Sequence, residues 1–450
     1  MLTTTKIVRY ILMASVVFLL LGLLWWYFFL RSQSQTITSS DSARGYDTGA
    51  ASFQNAIGST YNNIVSGISS FINDSDTWGT GKGSAPKQLW HVTKTPVAGM
   101  SFVGSGATLR LRFVERSTGQ ILEADPADGT VVRLTNKLFP KTYEAVFGRA
   151  EDIILRSLDE IGAITSFSGT IATSSSRSSS GDTSATTSSA ELVGKQLERN
   201  MHVIAPIPGT RELLYAIENP QGGVDIIRSL WDGSKKKSLF SSSLTGWKPV
   251  VLADGRIFLI QNPADDAAGF AYELKDGALK AQARDVPGLT FLPRTSSTAF
   301  LLGESRNGSL ALYVRARDDA AIASLPLKTV ADKCVWAPPS TSGTSAKKTT
   351  GDSGPLVAYC AVPLSLRGTN FLDDWYRGVV HTADAWWRVD ANADTVELIP
   401  VDGGASETFD VENPIVDLKG ENIAFMNAED KTLWLLRIGT AANSASTTRQ

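Results

Sequence analysis

Three stretches of this chain copy one another. They are LLYAIENPQGGVDIIRSLWDGSKKKSLF from Leu213, IFLIQNPADDAAGFAYELKDGALKAQ from Ile257 and FLLGESRNGSLALYVRARDDAAIASL from Phe300. Each reads as an apolar run, an Asn-led turn, an alternating run, an acidic turn and a last strand-like run. Asn219, Asn262 and Asn307 open the first turn, at spacings of 43 and 45 residues. IAFMNAEDKTLWLLRI, around Asn427, repeats the first half of the unit. Asp-Gly pairs at 128, 232 and 276 mark the second turn, where residues that tolerate left-handed backbone suit a tight reversal. Such a unit is four antiparallel strands in roughly 45 residues. It can bury its two apolar faces only against further copies of itself.

First strands fall near Val97, Tyr143, Val203, Trp247, Leu289, Lys333 and Asn413. The pattern therefore predicts an all-β fold over residues 88–439, a seven-bladed β-propeller with four-stranded antiparallel blades. Two packed sheets in a sandwich are the alternative, and the regular period argues against it. The seventh unit stops after three strands, whereas QLWHVTK (Gln88–Lys94) stands alone ahead of the first unit. That strand is expected to complete the last blade from outside, so that no sheet edge is left to pair. The second unit is lengthened by a Ser/Thr tract, SFSGTIATSSSRSSSGDTSATTSSAE, too polar to pack and read as a disordered loop. The sixth carries two insertions, APPSTSGTSAKKTTGDSGPL and a second one ahead of Trp386.

Ahead of the repeats, Ile11–Leu30 is twenty residues without a charge, about 30 Å as a helix and long enough to cross a bilayer. Trp25, Trp26 and Tyr27 near its far end suit the interface, and Lys6 and Arg9 precede it. The reading is a cytoplasmic tail (1–10), a transmembrane helix (11–30) and everything beyond outside the cytoplasm. A cleaved signal peptide would have an apolar region of about 7–15 residues and a small-residue site, and neither is evident. Residues 31–87 read as a linker. Within it Phe53, Ile57, Tyr61, Ile64, Ile68 and Phe71 recur every three or four residues, predicting an amphipathic helix over about 51–72. Residues 440–450 read as a disordered tail.

The 450 residues carry 43 Lys and Arg against 45 Asp and Glu, a net charge of −2 that excludes a nucleic-acid footprint. The two cysteines, Cys334 and Cys360, sit in short strand-like runs flanking a polar loop, and an exported domain makes a disulfide between them the expectation. Gly351-Asp352-Ser353-Gly354-Pro355 resembles the nucleophile motif of chymotrypsin-like serine proteases. Serine catalysis also needs a histidine to take the proton and an aspartate to orient it. His91, His202 and His381 are the three histidines, none in a suitable segment, and the motif lacks its second glycine. It reads as an accident of loop composition. Asp390, Asn392 and Asp394 begin like a calcium loop, but Thr395 and Val401 stand where glycine and glutamate belong, so a turn is expected. No catalytic residue, metal site or cofactor is assigned.

The stretch LSLRGTNFLDDWYRGVVHTADAWWRVDA from Leu364 is the most informative departure from the repeat. It joins the second and third strands of blade six and concentrates Asp373, Asp374, Trp375, Tyr376, Arg377 and His381. Aromatic and Arg residues on a long connection suit protein or glycan contact. Equally, Trp375 and Tyr376 could tuck under the loop and anchor it.

Units with an Asn-led turn followed by an Asp-Gly turn resemble the propeller repeats of TolB-like and WD-repeat-like envelope proteins. Trp231-Asp232 matches the WD dipeptide, once and without its Gly-His half. The resemblance implies binding and scaffolding in a cell envelope, and it carries over no functional residue. Three functions follow as expectations. The first is a membrane-tethered extracytoplasmic module that binds a protein or envelope-glycan ligand. The second is a glycan hydrolase or lyase with carboxylates near the central channel, and the third a structural subunit of an envelope assembly.

Overall fold

The computed structural model describes residues 87–149, 151–173, 190–265, 267–339, 355–401 and 408–438. The expected membrane span, the amphipathic helix, the Gly351–Gly354 motif and the C-terminal tail lie outside these residues. So does most of the Ser/Thr tract, but Ser166–Thr173 at its start belong to the third strand of blade two and Ala190 and Glu191 at its end to the fourth, not to a loop. Among the described residues no helix is long and apolar enough to cross a membrane.

Seven four-stranded antiparallel sheets form the blades of a propeller. Their first strands are Val97–Val103, Glu144–Phe147, Met201–Pro206, Trp247–Val251, Thr290–Pro293, Cys334–Trp336 and Val411–Val416. These fall within a few residues of the positions expected from the repeat. The seventh blade takes its fourth strand from the other end of the chain. Leu89–His91 pairs antiparallel with Leu433–Arg437, Trp90 opposite Leu435, and this closes the ring.

Each strand serves two neighbours because its side chains alternate between faces. In blade seven, Ile423, Phe425, Trp434 and Leu436 pack toward blade six. The intervening Ala424, Met426, Leu433 and Leu435 pack toward blade one. The same division recurs around the ring, with one apolar cluster at each of the seven seams. Burial on both faces is why the middle strands read as nearly continuous apolar runs. Where backbones meet, glycine is needed: a Cβ on Gly99 of blade one would lie 2.2 Å from the Ala145 carbonyl oxygen of blade two.

The turns follow the repeat, by two mechanisms. Asp276-Gly277 and Asn307-Gly308 both have positive φ at both positions, as a two-residue hairpin turn with matching twist requires. At 128 and 232 the aspartate carboxylates instead accept the backbone N–H two residues on, from Thr130 (2.9 Å) and Ser234 (3.0 Å). Asp390–Asp394 is likewise a turn between the third and fourth strands of blade six. Cys334 and Cys360 lie directly opposite each other on the first two strands of that blade and are disulfide-bonded.

Candidate functional site

The Leu364 loop is folded back on the propeller. Its centre is a short helix, α1 (Phe371–Tyr376), whose Phe371, Leu372 and Trp375 are buried against Leu310 and Val330 of blade five and its outgoing loop. The helix stops where Gly378 turns left-handed (φ 67°). The N–H of Gly378 donates to Trp375 O (3.0 Å) and that of Val379 to Asp374 O (2.8 Å), satisfying the last carbonyls. Asp265, in the Asn262-led turn between the second and third strands of blade four, holds the other end by accepting the Asp373 N–H at 3.0 Å.

Beneath α1 lies a buried charged cluster. Lys333 precedes the first strand of blade six, Asp384 opens its third strand, and Asp410 precedes the first strand of blade seven. The Lys333 ammonium donates to Asp384 (2.6 Å), Asp410 (2.5 Å) and Thr382 Oγ1 (2.7 Å). Trp375 Nε1 donates to both Asp410 oxygens (2.9 and 3.0 Å), and His381 Nδ1 lies 3.2 Å from Asp410 Oδ2. The two carboxyls are driven apart. Burial raises Asp384 above the ordinary carboxyl range, more than the nearby Lys333 charge lowers it. Burial also pushes Asp410 upward, but His381, Lys333 and Trp375 together outweigh it and hold that group well below the usual range.

This cluster supports one wall of a cavity of about 310 Å³ on which the first strands of four blades converge. Its other walls are first-strand residues of blades two, three, four and seven, including Glu144, His202, Lys248 and Glu412. Trp375, Tyr376 and Asp332 close it from the side of blade six. Of the six residues singled out on the Leu364 loop, Trp375 and Tyr376 therefore face the cavity. Both are also anchors: the rings lie 4.9 Å apart and the Tyr376 hydroxyl donates to Asp332 at 3.0 Å. Asp373 is tied to Asp265, and burial raises its carboxyl. Asp374 pairs with the exposed Arg377 at 2.6 Å, and the part-exposed His381 contacts Asp410 without lining the cavity.

The lining holds three acids (Glu144, Asp332, Glu412) and three bases (Arg156, Lys248, Lys431) besides His202. Two opposed pairs are formed within it, Glu144 with Arg156 and Glu412 with Lys431, the latter at 2.6 Å. Arg156 also donates to Met201 O and to His202 O, so it braces blade two against blade three. Such a lining is strongly dipolar with no net charge. Among the described residues no group of three or more His, Cys, Asp or Glu side chains is placed to hold a metal.

No family model matches the sequence, and no curated protein matches it. Solved structures with a similar fold include YCF48 bound to D1 peptide, at 11% identity and a TM-score of 0.44, over 79% of this chain and 98% of that one. Virginiamycin B lyase from Staphylococcus aureus is 13% identical over 78% of this chain and 98% of its own, with a TM-score of 0.38. TolB from Acinetobacter baumannii is 10% identical, covering 75% and 79% respectively, with a TM-score of 0.35. Likeness at this level carries over no residue and no activity.

Proposed function

We propose that the chain is a membrane-tethered, extracytoplasmic binding module that takes a short segment of a protein partner into this cavity. The observation that carries this reading is the cavity walled by four blades and by Trp375 and Tyr376. Its volume is near the lower end of ligand sites, roughly 300–1,000 Å³, which suits a side chain or a tight turn better than a large ligand. A lining with equal numbers of acids and bases matches the amide dipoles and mixed charges of a polypeptide. The paired state of Glu144 and Glu412 favours holding a ligand over turning one over. Leu364 and Val379, both largely exposed on the same loop, give a partner apolar contact beside the cavity. The tether is the uncharged run Ile11–Leu30, and the Cys334–Cys360 disulfide fits an oxidising compartment.

The test is affinity capture from detergent-solubilised membranes with the full chain. Tyr376→Ala and Lys248→Glu alter the cavity, whereas Lys419→Glu lies in the connection between the first and second strands of blade seven, on the opposite face. The expected result is one protein partner lost from the first two variants and retained by the third. Equal capture by all three, or capture of glycan alone, overturns the reading.

A further inference from the structure

Lys333, Asp384 and Asp410 are more than a structural ion pair requires. Two carboxylates converge on one amine whose side chain has no exposed surface, as has that of Asp384, while Asp410 retains 1%. The indole of Trp375 lies over the amine, 4.7 Å from ring centre to Nζ. We propose that Lys333 and Asp384 condense to an intramolecular amide, with Asp410 moving the proton.

Three observations support the step. Reactive geometry comes first. A Lys333–Asp384 contact of 2.6 Å between nitrogen and oxygen places Nζ about 3–3.5 Å from the carboxyl carbon, the separation of a near-attack arrangement. Next, the two acids have separate environments. Asp384 is raised by burial toward the protonated form, whose hydroxyl can leave as water. Asp410 is kept ionised by His381, Lys333 and Trp375, as a base must be. Finally, the Lys333 and Asp384 side chains have no exposed surface, which disfavours the reverse hydrolysis, while condensation removes two buried charges that cost desolvation energy.

The step balances without any other reactant. Asp410 takes a proton from the Lys333 ammonium, and the freed amine attacks the Asp384 carboxyl carbon. The new C–N bond forms as the C–OH bond breaks, the proton held by Asp410 leaves with the hydroxyl as one water, and the second proton shed by the nitrogen as it becomes an amide stays on Asp410, which ends neutral. The product joins the start of the first strand of blade six to the start of its third. It lies one residue from the disulfide that joins the first strand to the second. Together the two cross-links fasten the blade from which α1 and its cavity-facing aromatics extend.

Intact-mass measurement on the reduced, denatured full chain decides the matter. The native chain is expected to be lighter than its sequence by one water. Trypsin should fail to cut after Lys333, giving a peptide Thr329–Lys347 linked to Gly378–Arg388 after thiol alkylation. Lys333→Arg and Asp410→Asn should both show the full mass. A native chain at full mass overturns the proposal, and it does so whether or not any variant folds. Loss of water in Lys333→Arg places the condensation elsewhere and overturns it too, while loss in Asp410→Asn overturns the role given to Asp410.

Discussion

Asp265 and Asp373, 108 residues apart, exchange hydrogen bonds: the backbone N–H of each donates to the carboxylate of the other, at 3.2 and 3.0 Å. The first belongs to the Asn262-led turn of blade four and the second to α1, so the pair ties the Leu364 loop to a blade that is not adjacent to its own. Ser305 of blade five also donates to Asp265. Removing the Asp265 carboxylate leaves two donors without their acceptor. Asp265→Ala is expected to destabilise the chain by about 1–2 kcal/mol, the usual range for a lost cap with unsatisfied donors. The urea midpoint measures it. Faster amide exchange confined to α1, and not the blades, would locate the loss.

Lys333 lies under the same helix. Joined to Asp384 or paired with it, Lys333 neutralises that acid, so its removal strands Asp384 and Asp410 in the interior, and a broken buried pair costs roughly 3–5 kcal/mol. Lys333→Met is expected to fall in that range by denaturant unfolding. Adding Asp384→Asn and Asp410→Asn to it should recover a large part of the loss, because no buried charge then lacks a partner. If the triple variant is as unstable as the single one, packing rather than charge sets the cost.

Trp90 tests ring closure. It is the buried centre of a three-residue strand, 6% exposed, and packs with Leu433 and Leu435 against Val97, Leu111 and Phe113 of blade one. Trp90→Ala removes the largest side chain of the closing strand and is expected to cost about 3–5 kcal/mol. It should also free the edge of Leu433–Arg437, which then becomes a template for pairing between chains. Light scattering during mild denaturation should therefore rise earlier for this variant than for the native chain.

The propeller was legible because its period is written in turns. Asn219, Asn262 and Asn307 sit at equivalent positions, and the alternation of Ile423, Ala424, Phe425 and Met426 is the period of a strand buried on both faces. Trp375 and Tyr376 were legible as well, since they interrupt that period with aromatic residues no strand needs. The open question was whether they anchor the loop or meet a ligand, and their positions allow both, one edge bonded to Asp410 or Asp332 and another facing the cavity. Lys333, Asp384 and Asp410 left no mark in the sequence. Each stands at the start of an ordinary strand, and their contacts span 51 and 77 residues. Glu144, Lys248 and Glu412 are similarly silent, because only closure of the ring brings blades two, four and seven to one cavity. An unpaired acid in a polar run signals nothing until topology gives it neighbours.

Tyr143 supplies a test of the cavity wall that leaves the charged cluster alone. It precedes the first strand of blade two, and the Arg156 guanidinium lies 5.8 Å from its ring centre. Burial raises its hydroxyl from 10.0 to about 12, with the neighbouring Glu144 adding to the rise and Arg156 opposing it. Below the unfolded value both states keep the proton, and the group contributes its full stability. As pH climbs from 10.0 toward 12 the unfolded chain releases a proton that the folded chain retains, so stability falls. Tyr143→Phe has no proton to lose. The two chains should therefore differ little near neutral pH, while the native chain loses on the order of 1–2 kcal/mol more than the variant across the alkaline range. Urea midpoints taken in steps from neutral to strongly alkaline buffer measure the difference. Parallel curves would mean that the hydroxyl is open to water in solution, and that the wall between blades two and three is looser than Arg156 and its carbonyl partners imply.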